Sequence, residues 1–256
     1  MNPHDMNPAR RGGWLPLTLL VFALVLLAMA ALLMGGAGAA YRFGALALGE
    51  AFTTLRYGAY TALAAGGVGL IALAVAIWYR RLKTALVGGL VIVGTVALLA
   101  TPFHLWQRAQ EVPPIHDITT DTNDPPVFEA LVSAREEAPN AVDYPGEVTA
   151  RQQSEAYPDI QPLVIQAPLP TVLSAAEAAV LDHGWELVAV TPDTIEATAT
   201  TRWFGFKDDV VIRLRETDDG IRVDMRSASR VGRSDLGTNA ARIRDYLAAL
   251  ERRVGG

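Results

Sequence analysis

The apolar positions of this 256-residue chain follow two regimes. Up to Leu105 they form long unbroken runs. Beyond Pro170 they alternate with polar residues or recur every three or four positions. Two runs, Tyr60 to Trp78 and Thr84 to Leu105, are each close to the ~20 residues a helix needs to cross a hydrocarbon core, and the basic segment YRRLK joins them. They predict a transmembrane helical hairpin. A third run, Leu15 to Met34, carries no charge and has Pro16 where a first helical turn accepts it. It predicts another span, with a cleaved signal peptide as the rival reading because the small residues GGAGAA follow. Gly35 to Ala59 is then the outer connection, aromatic with sparse charge, either an interfacial helix or a loop. The spans hold no buried ionisable residue, so they read as an anchor and not as a transport path.

The second half changes character. Gln107 to Leu169 is broken repeatedly by proline yet offers Ile115, Ile118, Phe128, Leu131, Tyr144 and Tyr157 as apolar anchors. This reads as an extended arm packed along the domain that follows, with one short helix between Phe128 and Glu137. Pro170 to His183 predicts a helix ended by Gly184. Trp185 to Val190, Thr194 to Arg202, Val210 to Arg215 and Ile221 to Arg226 predict strands. The last two are joined by Asp218-Asp219-Gly220, a hairpin signal. Ile195, Ala197 and Ala199 alternate with Glu196, Thr198 and Thr200, the pattern of a half-buried strand. A final helix from about Leu236 puts Ala240, Ile243, Leu247, Leu250 and Val254 on one stripe. The expected fold is thus a three-helix membrane anchor plus an α+β domain in the order α-β-β-β-β-α. Its antiparallel meander would have one face under the helices and one face wet.

Charge orients this layout. The first 105 residues carry seven basic and two acidic side chains, and the remainder fifteen and twenty-five. Arg10, Arg11, Arg80, Arg81 and Lys83 fall on one predicted side of the bilayer, with Arg42 and Arg56 on the other, so the positive-inside bias places the N-terminus in the cytoplasm. The regions are then a cytoplasmic tail (1–14), a transmembrane region (15–106), the proline-rich arm (107–169) and an extracytoplasmic, periplasmic-type domain (170–256). The protein would be a multi-pass inner-membrane protein with the bilayer as its first partner. An acidic soluble half argues against nucleic acid as a partner. The absence of cysteine excludes disulfides, thiol catalysis and thiolate metal sites.

Candidate chemistry lies in two stretches. Arg226 to Arg244 reads RSASRVGRSDLGTNAARIR. Ser234 or Asp235 can cap the final helix. Arg226, Arg230, Arg233 and Arg242, with Ser229 and Asn239, would form an anion site at its N-terminus. The alternative is that Asp208, Asp209, Asp224 and Asp235 neutralise these arginines internally. The second stretch, Ile115 to Pro126, brings His116, Asp117 and Asp121. These are metal-ligand types, but their spacing fits neither a zinc helix nor a calcium loop, and turn capping is the plainer role. The aromatic turn Trp203 to Phe206 either dips into a bilayer or packs a core edge. No nucleophile elbow, zinc helix, phosphate loop or dinucleotide fingerprint occurs, so no cofactor or metal is expected.

Three segments together resemble a known family: PIHDITTD (Pro114 to Asp121), FGFKDDVVIR (Phe204 to Arg213) and RSASRVGRSDLGTNAARIR. From about Pro113 to Leu250 the chain is similar to domain-of-unknown-function family 1499, found in bacterial envelope and thylakoid proteins. The resemblance implies membrane association and no particular reaction. His116, Asp117, Asp121, Asp208, Asp209, Arg226, Ser229, Arg230, Arg233, Asp235, Asn239 and Arg242 match its motif positions. Three functions follow as expectations. One is a non-enzymatic envelope module binding an anionic ligand, lipid headgroup or protein partner near Arg226 to Arg242. Another is a metal-dependent hydrolase built on His116 and the aspartates. The third is a structural docking domain with its arginines paired internally.

Overall fold

The computed structural model describes residues 14–255; the tail carrying Arg10 and Arg11 lies outside the described residues. The chain divides into two compact units. One holds the residues up to Leu105 together with the turn Trp203–Gly205, and the other holds Trp106–Arg202 and Phe206 onward.

The first unit contains α1 (Leu15–Arg42), α2 (Leu48–Trp78) and the larger part of α3 (Leu82–Glu111). All three helices are long and apolar enough to cross a membrane. They are longer than the hydrophobic runs. Helix α1 continues through GGAGAA to Arg42, and α2 begins at Leu48, so the expected outer connection contracts to residues 43–47. The physical reason is that glycine weakens a helix by only about 1 kcal/mol, and apolar surroundings supply no water to compete for the backbone. Two glycines do more than permit the helix. A Cβ on Gly58 would meet the Met34 side chain at 2.5 Å, and one on Gly69 would meet Val91 at 3.0 Å. Close approach of α1 to α2 and of α2 to α3 therefore requires small residues there.

The second unit is built on one antiparallel sheet. Its strands are β1 (Asp117–Thr119), β2 (Leu163–Ile165), β3 (Glu186–Val190), β4 (Thr194–Thr200), β5 (Lys207–Thr217) and β6 (Gly220–Ser229). The spatial order is β1-β6-β5-β4-β3, with β2 also paired to β6. Helices α6 (Leu169–Asp182) and α7 (Thr238–Gly255) flank the predicted strands, which reproduces the α-β-β-β-β-α order. The arm contributes more than packing. Its β1 and β2 both hydrogen-bond along the outer edge of β6, at Arg226–Ala228 and Ile221–Val223 respectively. The arm also supplies α4 (Val132–Glu136) and α5 (Glu147–Ala156).

One sheet face is the apolar core. Ile195, Ala197, Val210, Ile212, Leu214, Val223 and Met225 pack against Val172, Ala176 and Val180 of α6 and Ala240, Ile243 and Leu250 of α7. The Tyr246 hydroxyl donates to the Ala176 carbonyl at 2.9 Å and ties the two helices together.

The opposite face is not wet. Phe128 and Leu131 from the arm close over Val211 and Ala228. Beneath them Glu196 and Thr198 are 3% exposed, Asp209 and Asp224 fully buried, and Arg226 1% exposed. Alternation placed these residues away from the core correctly. They are nevertheless buried because each is hydrogen-bonded or ion-paired. Glu196 illustrates this, since its carboxylate accepts the amides of Glu129, Ala130 and Leu131 at 2.7, 2.9 and 3.0 Å.

Glu196→Ala takes the acceptor from three amides, that of Leu131 buried, at a cost of about 1.5–3 kcal/mol. Hydrogen exchange should show protection lost first at residues 129–136, with Glu196→Gln giving a smaller loss.

Candidate functional site

Asp208 and Asp209 are neighbours on β5, and the two-residue period of a strand sends them to opposite faces. His116 and Asp117 are divided in the same way at β1. Both predicted residue groups are therefore redistributed into a helix-side cluster and an arm-side cluster.

On the helix side, Arg242 of α7 donates to Asp208 at 2.6 Å, to the Ser227 hydroxyl at 2.9 Å and to the Asn239 side-chain oxygen. Asn239, fully buried, donates to the Ser229 hydroxyl and to the His116 carbonyl, each at 3.0 Å. Asp235 takes the capping role, accepting the amides of Gly237 and Asn239 at 2.8 and 2.7 Å. Ser234 accepts the Leu236 amide at 3.2 Å. Leu236 itself holds φ 54°, the left-handed region that costs a branched, bulky residue about 1 kcal/mol or more. Burial raises the Asp235 carboxyl above its ordinary value; the Asn239 and Gly237 amides oppose this, and the negative Asp208 adds to it. The His116 Nδ1 is buried without a partner.

On the arm side, Asp209 is the hub. Arg230 donates to both its oxygens at 2.9 and 2.8 Å, Arg135 of α4 donates at 3.1 Å, and the Thr198 hydroxyl donates at 2.9 Å. Arg226 forms a fork with Asp117 at 3.0 and 2.8 Å and donates to the carbonyls of Pro126 at 3.2 Å and Val142 at 2.9 Å. Its guanidinium lies 4.8 Å from the Phe128 ring centre and 5.7 Å from that of Tyr144, within the range of a cation–π attraction. Further along the same face, Asp224 receives Arg213, Arg215 and Arg222 at 2.7–3.2 Å. Asp121 receives Arg222 at 2.8 Å.

Beside Arg226 a cleft of about 600 Å³ opens between residues 122–128 and 142–151. Val127, Phe128, Val142, Tyr144, Ala150 and Arg151 line it, and Asp124, Asp143 and Glu147 add acidic groups. The two carbonyls held by Arg226 belong to the opposite walls, so one buried side chain braces both. Burial, with Asp117 close by, pushes the Tyr144 hydroxyl up to about 12.

These positions bear on each expectation. The Arg226–Arg242 stretch does not converge on one free anion site, because Arg226, Arg230 and Arg242 each pair with an aspartate. Only Arg233 of that set is exposed. The hydrolase reading needs His116 and the aspartates together. Among the described residues no group of three His, Cys, Asp or Glu is placed to hold a metal ion. Arg135, Thr198, Glu196 and Ser227 are parts of the network that pattern reading passed over. For Glu196 and Thr198 the available signal was strand phase, since they share the face of Asp209, Arg226 and Arg230.

Residues 117–250, more than half of the chain, match the family described as protein of unknown function DUF1499. The chain belongs to that family. No curated protein matches it.

Two outcomes follow from this geometry. Arg230→Met removes two charge-assisted bonds from Asp209, which keeps Arg135 and Thr198, and should cost about 1.5–3 kcal/mol in urea unfolding, while Arg233→Ala should stay within about 0.5 kcal/mol. The raised Asp235 carboxyl binds its proton more tightly in the folded state. Its stabilising contribution is therefore full below the ordinary value of 3.8 and falls as pH rises through the elevated folded-state value. Melting temperature against pH should decline less steeply across that window in Asp235→Asn.

Proposed function

We propose that the protein is a non-catalytic binding module of a cell envelope. Its α+β domain stands on the non-cytoplasmic side, and the cleft beside Arg226 receives a segment of an envelope partner. The single observation that carries this reading is the bracing of both cleft walls by a buried, fully charge-paired arginine. A preformed recess held open this way loses little freedom on binding. Its mixed lining suits a peptide segment better than a phosphate. Apolar Val127 and Val142 stand beside Asp143 and Glu147, which have no ion-pair partner among the described residues. The orientation rests on charge, since Arg80 and Arg81 lie in and beside the turn between α2 and α3, with Lys83 just after it.

The internal pairing of Arg226, Arg230 and Arg242 also favours a second reading, in which the domain is a rigid structural element and the cleft is unused. The two separate cleanly. A photo-crosslinking residue at Val127, which is 64% exposed, should capture a partner in intact cells. Ala150→Trp, filling the cleft, should abolish that adduct while thermal stability is retained; persistence of the adduct would place the contact outside the cleft, and no adduct in wild type would leave only the structural role. For topology, alkaline phosphatase fused after Gly255 should be active, and fused after Leu82 inactive.

A further inference from the structure

The outer ends of the long helices in the first unit enclose space. A cavity of about 330 Å³ is lined by Gly35 of α1, Leu55 of α2, Leu98, Pro102 and Leu105 of α3, and Trp203. Each wall has a definite cause. Pro102 lies inside α3; it has no N–H for the Leu98 carbonyl, and its ring crowds the preceding turn. Helix α3 therefore does not close smoothly here. Gly35 has no side chain to fill the gap, and a Cβ there would meet nothing within 4 Å. Trp203 is fixed in place, its indole N–H donating to the Gly35 carbonyl at 3.1 Å. The ring reaches that position because α1 carries glycine at 38, where a Cβ would strike the indole nitrogen at 2.6 Å. The turn residue beside it, Phe204, stacks on Phe52 at 5.7 Å, so the indole wall is supported from behind.

We infer that this cavity is a binding site for one acyl chain of a bilayer phospholipid. The lining is mostly carbon; its polar side chains are Trp203, whose N–H is already satisfied, and Thr101. A recess with so few polar partners holds water poorly. The helices around it are of membrane-spanning length and composition, so hydrocarbon chains are the solvent at hand. Tryptophan with a bonded N–H and an apolar ring face is suited to the boundary between hydrocarbon and headgroups. This site is separate from the cleft beside Arg226 and stands whether or not that cleft binds a partner.

The test is native mass spectrometry of the full chain released from nanodiscs of a single defined phospholipid. Wild type should keep one phospholipid at activation energies that strip the rest. Gly35→Leu places a side chain in the cavity and should lower that occupancy about tenfold, the effect of displacing two methylenes. Gly36 is not among the lining residues, and Gly36→Leu should leave occupancy unchanged. Circular dichroism of the three proteins checks that the helices persist. A misfolded Gly35→Leu is replaced by Gly35→Val, which should lower occupancy by a smaller factor in the same assay. Equal occupancy in wild type and both cavity-filling variants would overturn the assignment. So would an equal drop in Gly36→Leu, or no retained phospholipid in wild type.

Discussion

Burying charge against charge is the constraint on which the second unit depends. Without partners, a face carrying Glu196, Asp209, Asp224 and Arg226 would have to stay in water, and a covering segment would be expelled by the cost of desolvation. The arm brings the missing counter-charges, Asp117 to Arg226 and Arg135 to Asp209, together with the backbone amides that Glu196 accepts. On this face apolar contact is only a few residues around Phe128 and Leu131; the arm's other apolar anchors, Ile115, Ile118 and Ile160 among them, join the helix-side core. Specific pairing selects one docking register.

That arrangement gives a structural role to many of the charged residues in the three segments that carry the family resemblance. Asp117 pairs with Arg226 and Asp209 with Arg230, which joins three different parts of the chain. A buried pair replaced as a whole by apolar residues is often neutral, whereas loss of one partner is costly. A surface of this type changes slowly because single steps away from it are unfavourable. Structural necessity alone can therefore produce an arginine-rich signature that looks like a ligand site.

Much of the fold was legible in the sequence. Three spans, the strand order from Glu186 to Ser229 and the stripe of α7 follow from periodicity, because one period dominates each segment. The helix ends were not legible. Gly35, Gly36 and Gly38 read as a break, and only tertiary contacts, Gly38 against Trp203 and Met34 against Gly58 of α2, make a continuous helix sensible. The burial of the second face was hidden for a related reason. Alternation says which residues leave the core, and it is silent on whether a distant segment such as Phe128–Glu136 will cover them. The candidate site was legible in composition and not in grouping. Asp208 and Asp209 were read as one cluster although their strand phase already separated them.

The pairing of β1 with β6 has a consequence for assembly. Asp117 meets its partners more than a hundred residues later in the chain. The contact order of this part of the sheet is high, and closing so long a loop is slow. During synthesis the arm must therefore wait, hydrated and unpaired, until β6 is complete. Over the same interval β5 is an open edge of the sheet, so the nascent domain is most vulnerable to proteases and to mispairing just before its last strand appears.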